Sequence, residues 1–134
     1  PEKVMASVVK MAEFPNIGLV YSDYHILDQR TGQSIREYKP PFDFKKLTQR
    51  CIISTNPVIQ KQIFEAVGNY NENVRGMEDY ELYLRATSKF TAVHLPFSLY
   101  TYREHGLNKT RTTSPEDWAK QEQMMKENFF KGVR

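Results

Sequence analysis

Glu78 and Asp79 are adjacent carboxylates where a polar loop, Asn69 to Gly76, meets an amphipathic stretch. Neighbours on a helix diverge by about 100°, so one can face a cleft while the other caps backbone N–H groups. A carboxylate at a cleft edge can act as a general base toward a hydroxyl. The plainer reading is that both acids satisfy the helix N-terminus, where acids are common. A second group follows Tyr100: Arg103, His105, Lys109 and Arg111. Guanidinium and ammonium groups suit a phosphate or diphosphate, and a neutral imidazole can ligate a metal. A solvated basic loop is the alternative, since one histidine has no metal-site spacing by itself. Third, Asp23 beside Tyr24 interrupts an apolar stretch, as a surface residue at a strand end or as a cleft residue.

The elements that hold these residues follow from pattern. Val4, Val8 and Met11, with Met5, Val9 and Ala12, make a broad apolar stripe on a helix over 2–13, ended by Pro15. Residues 17–27 are rich in strand formers, and Leu19 and Val20 belong in the core. The turn Asp28 to Gly32 leads to an edge strand at 33–38, and Pro40-Pro41 breaks it. A short helix is expected at 43–50, an interrupted strand at 51–59, and a second short helix at 60–66 ending near Gly68. The Glu-Asp helix covers 77–88, and Glu81 and Arg85 are spaced for an i,i+4 pair. Strands at 90–95 and 97–103 are divided by Pro96. Ser114 and Pro115 open a last helix as N-cap and first residue, and Trp118, Phe129 and Phe130 are its packing residues. This order is that of an α/β chain with a mixed sheet flanked by helices.

Composition limits the function classes. The chain has 134 residues, a net charge of +3 and 40% hydrophobic residues, consistent with one modest core. No run of 18 apolar residues is present, so no membrane-spanning segment is expected. A lone cysteine, Cys51, excludes an intrachain disulfide and a multi-cysteine zinc site. It fits a reducing cytoplasmic setting. Acids and bases mix along most of the chain, which argues against nucleic acid, although Arg36, Lys39, Lys45, Lys46 and Arg50 are the residues such a binder would use.

Four segments, taken in order, carry a resemblance. Pro1-Glu2-Lys3 opening a helix, then Val20-Tyr21-Ser22-Asp23 with Asp28 and Gly32, is similar to the part of a family 2 glycosyltransferase that follows its acidic metal motif. Phe64-Glu65-Ala66-Val67-Gly68-Asn69-Tyr70-Asn71-Glu72 resembles that family's "vGgfde" turn. Glu78-Asp79-Tyr80-Glu81-Leu82 with Arg85 resembles its "EDxxLxxR" helix, and Leu99 to His105 its "YRxH" segment.

The resemblance implies the acceptor-side half of a GT-A fold over residues 1–114, with a C-terminal helix at 115–134. It implies sugar transfer from a nucleotide-sugar donor to a hydroxyl of a glycan or lipid-linked acceptor, with inversion. Asp79 would be the base and Glu78 would orient that end of the site. Arg103 and His105 would lie near the donor diphosphate and its metal, and Asp23 and Tyr24 on the acceptor side. The nucleotide-binding half and the acidic metal motif have no counterpart here, so Pro1 is expected to fall within a larger catalytic domain. Mg²⁺ or Mn²⁺ is then expected for the parent enzyme and no cofactor for this portion alone, which is expected to be inactive. The parent would work in the cytoplasm, with membrane association through other parts, and the uncovered surface could support a homo-oligomer. The competing expectation is a non-catalytic α/β interaction module in which the Glu-Asp helix is structural.

Overall fold

The computed structural model describes residues 1–108 and 112–132. Helix α1 (Glu2–Glu13) precedes strand β1 (Ile17–Asp28) and strand β2 (Ser34–Glu37). Helix α2 (Phe44–Gln49), the short strand β3 (Val58–Ile59), helix α3 (Lys61–Val67) and helix α4 (Glu78–Thr87) follow. Strand β4 (Thr91–Glu104) and helix α5 (Pro115–Gly132) complete the order, a mixed α/β arrangement.

β1 is the axis of the sheet. β4 runs parallel to it along one edge, from Ile17 opposite Thr91 to Asp28 opposite Glu104. The other edge is shared by two antiparallel strands. β3 pairs with Leu19 and Val20, and β2 pairs with Tyr24 to Leu27 through the Asp28–Gly32 turn. With partners on both edges, β1 is buried from Ile17 to Tyr24. One core joins Leu19 and Tyr21 to Leu47, Ile52, Ile53, Tyr80, Tyr83, Leu84, Met125 and Phe129. A smaller one packs Ile17, Val20 and Leu95 with Ala6 and Met11 of α1. Gly18 sits where α3 comes closest. An added Cβ would stand 2.5 Å from Ile63 Cδ1 and 2.9 Å from Phe90 Cβ, so only glycine fits.

Local signals account for most boundaries. Gly68 closes α3 at φ 83°, in the left-handed region that glycine reaches freely. Ser114 Oγ accepts from the Asp117 amide at 3.1 Å and donates to Asp117 Oδ2 at 2.9 Å, which fixes the start of α5.

Four expectations change. Most of the stripe on α1 faces outward: Val4, Met5, Val8 and Val9 are all more than half exposed, while Met11 packs on the smaller core. Ser7 and the small Ala6 lie inward instead, because Ser7 Oγ satisfies itself on Lys3 O at 2.8 Å. The interrupted strand over 51–59 shrinks to Val58–Ile59, on the far side of the Asn56-Pro57 break. Pro96 does not divide two strands; β4 runs through it on a register shift between Ser22 and Asp23. A bulge tolerates the missing donor. In α5, Phe129 is buried and Trp118 partly so, but Phe130 is 43% exposed.

Asp23 lies at the crossing of these strands, 2% exposed and therefore no surface residue at a strand end. Its Oδ2 accepts from Arg36 Nη2 of β2 at 2.9 Å, and its Oδ1 from the Lys39 amide at 2.8 Å. Oδ1 also meets His94 Nε2 of β4 at 2.7 Å. Burial by itself would raise the Asp23 pKa; the bonds from the Lys39 amide, Arg36 and His94 outweigh it and hold the carboxyl below its ordinary value. Its contribution to stability is therefore complete above its unfolded pKa of about 3.9 and lost as pH falls through the lower folded value. Asp23→Asn is expected to destabilise the fold by about 3 kcal/mol and to flatten the acid limb of stability against pH. Urea unfolding between neutral pH and pH 3 measures both, and an unchanged acid limb would contradict the assignment.

Candidate functional site

Helix α4 carries the Glu-Asp pair in its first turn. Its N-cap is Met77, whose side chain makes no capping hydrogen bond. Glu78 does not take over that task through Oε2, which is buried with no hydrogen-bond partner among the described residues. Asp79 is partly buried, and its charge reaches Tyr70, Cys51 and Tyr83.

The helix is positioned from its other end. Arg85 Nε meets Glu81 Oε1 at 2.6 Å and Nη2 meets Oε2 at 2.7 Å, a two-pronged pair on successive turns. The same guanidinium donates to the carbonyl oxygens of Val67 and Asn69, the latter at 2.8 Å. One side chain thus ties α4 to the turn after α3. Glu81 is buried, so the pair is shielded from water and from screening. On the sheet-facing side, the Tyr83 hydroxyl reaches Ser54 O at 3.5 Å and the Tyr80 hydroxyl donates to Leu47 O. These contacts tie α4 to α2 and to the segment that follows it.

Tyr24 belongs to an aromatic group. Its ring stacks on Tyr100 with centroids 4.9 Å apart and meets Tyr102 edge-on at 6.4 Å. Lys3 Nζ lies 4.6 Å from the Tyr100 ring centroid and Lys39 Nζ 5.6 Å from that of Tyr24. Burial, reinforced by the Glu37 charge, pushes Tyr24 up to about 12, so it stays a neutral phenol. Cys51 is exposed by residue area, but its thiol is part-buried and donates to Ile53 O at 3.6 Å. Desolvation pushes that thiol up to about 11, which leaves it protonated and poorly nucleophilic.

The charge of Asp79 is felt at the Cys51 thiol and at the Tyr83 hydroxyl, while Tyr24, Tyr100 and Tyr102 form one aromatic group. Arg103 and His105 follow Tyr102 at the end of β4, and their loop bonds back to the aromatic group through Asn108 Nδ2, which donates to the Tyr102 hydroxyl at 3.0 Å. Arg103 is exposed opposite Leu27. His105 is exposed, and its hydrogen bonds stay in its own loop: its amide donates to Asn108 Oδ1, and its Nδ1 accepts from the Leu107 amide at 3.3 Å. Lys109 and Arg111 lie outside the described residues. No three of His, Cys, Asp and Glu converge as a metal-binding group among the described residues. His105 is thus at most a single ligand, and these side chains do not by themselves fit a divalent cation.

Sequence reasoning missed His94, Cys51, Tyr83 and Tyr100. A polar His94 inside the apolar run Ala92 to Leu95 was a usable signal, the counterpart of Asp23 in β1. No family model and no curated protein matches the chain in sequence.

Arg85→Lys keeps the charge but removes the planar fork. It is expected to destabilise the protein by about 2 kcal/mol and to speed amide exchange at residues 67–70. Thermal melting and hydrogen exchange test this, and wild-type protection there would show that the turn holds without Arg85.

Proposed function

We propose that this chain is the acceptor-side part of an inverting glycosyltransferase of GT-A type, taking a sugar from a nucleotide-sugar donor to an acceptor hydroxyl. The observation behind this reading is the Arg85 tie. The Gly68-Asn69 turn and the Glu-Asp helix are separate motifs in the resemblance, and here one guanidinium bonds both. Asp79 is thereby held at the start of a helix, within the field of Cys51 and Tyr70, where an acceptor could be received.

In this reading the Asp79 carboxylate takes the proton of the acceptor hydroxyl as its oxygen attacks the anomeric carbon. The bond from that carbon to the donor diphosphate breaks in the same displacement, and the diphosphate leaves with the electron pair. A helix N-terminus favours the anionic form that a base needs. Glu78, one residue before it, shapes the charge at that end. Arg103 and His105 would approach the leaving group, a role that needs parts of the enzyme beyond these residues. The outward stripe Val4, Met5, Val8 and Val9 on α1 is the surface on which the remainder of such a domain would pack, or through which two copies would associate. No described helix is long and apolar enough to cross a membrane.

Asp79→Asn in the parent enzyme is expected to lower transfer by about 10²–10⁴-fold, with unchanged circular dichroism and donor affinity. Near-normal turnover in that variant would remove Asp79 from the base role. The chain alone is expected to transfer no sugar.

A further inference from the structure

A pocket of about 260 Å³ opens between the end of β2 and the segment after α2, lined by Glu37, Tyr38, Lys39, Pro40, Arg50, Cys51 and Ile52. It is smaller than the roughly 300–1,000 Å³ of sites that enclose a whole ligand, so it suits a single group carried by a larger molecule. Its polar lining is mostly cationic. Lys39 is partly engaged by Glu37 at 3.4 Å. Arg50 makes no side-chain hydrogen bond or ion pair among the described residues; only its amide is used, on Lys46 O at 3.0 Å. Lys45 and Lys46 on the adjoining α2 likewise leave their ammonium groups without an ion pair among the described residues. One carboxylate thus faces two cations in the lining, and the guanidinium is the uncompensated charge.

The pocket also borders the site described above. Cys51 lines it, and the same thiol lies within the field of both Lys39 and Asp79. Tyr24, under the Lys39 ammonium, flanks it from the sheet.

We propose that this pocket seats an oxyanion borne by the acceptor, a carboxylate or a phosphate, so that the acceptor of the reaction is acidic. The proposal rests on the glycosyltransferase reading for the word acceptor, but the anion seat itself does not. Arg50 would take two oxygens of the anion in a forked contact, and Lys39 would supply a point charge beside it. Glu37 would be the internal competitor that the ligand displaces from Lys39. The rest of the acceptor would extend past Cys51 toward Asp79.

The test is a titration of the protein with glucuronate, glucose 6-phosphate and neutral glucose, followed by amide chemical shifts. Both acidic sugars, or one of them, should shift residues 37–39 and 50–52, while glucose should not. The tighter of the two identifies the source of the anion. Arg50→Gln should weaken that binding about tenfold without changing thermal stability, since its guanidinium bonds no described group. Glu37→Gln should tighten it by freeing Lys39. Equal binding of glucose, or anion binding indifferent to both Arg50→Gln and Lys39→Gln, would overturn the seat. These titrations contain no donor, so their failure is distinct from a failure of the Asp79 assignment, which is read only from transfer.

Discussion

The carboxylate of Asp23 is the constraint around which the sheet is arranged. An anion almost fully withdrawn from water is tolerable only when its oxygens are filled with donors. Those donors come from β2, from the chain just after it, and from β4. Each that moves away leaves the buried carboxylate short of a partner. Register follows from that requirement. A slip of β4 by one residue would turn His94 to the opposite face, and a slip of β2 would do the same to Arg36. Arg36 then carries the restraint further, donating to Pro96 O at 3.1 Å where β4 shifts register. A proline that would otherwise weaken a long strand is held by the same cation that balances Asp23.

Helix α4 is fixed on a different principle. It is buried around most of its circumference, with Tyr80, Tyr83 and Leu84 in the main core and Leu82 and Ala86 also out of water. Apolar burial gives adhesion but little direction, and a helix bound that way alone could rotate or slide. The Glu81–Arg85 fork and the Tyr80 and Tyr83 hydroxyls supply direction at the cost of burying polar atoms. The result places two acids at a helix start whose cap residue contributes no side-chain bond. Such an arrangement is more costly than a serine or threonine cap would be.

Sequence resolved what is decided within one turn or one hairpin. Gly68, the Asp28–Gly32 turn, Ser114 with Pro115, and the start of α4 were legible because a few neighbouring residues settle each. The facing of α1 was not, because periodicity finds an apolar stripe without saying whether the rest of the fold covers it. The fate of residues 51–57 was not legible either, because an apolar stretch reads as a strand whether or not the sheet takes it up. The Asp79 end of the site was readable as a local acid pair. Cys51 and Tyr100 were not, since they come from a loop and a strand distant from α4 in sequence. The partners of Asp23 were hidden for the same reason: Arg36 and His94 lie 13 and 71 positions away.

The parallel pairing of β1 with β4 also sets an order of events during synthesis. Antiparallel β2 can close on β1 as soon as its turn has formed, a local step. β4 cannot join until the chain has been made past Glu104, and parallel pairing across that separation is intrinsically slow. Through that interval Asp23 would have Arg36 but not His94, and one edge of β1 would stay open. A nascent chain in that state is exposed to strand addition from other chains. The same residue that fixes the register of the finished sheet is thus the last to have its charge fully answered.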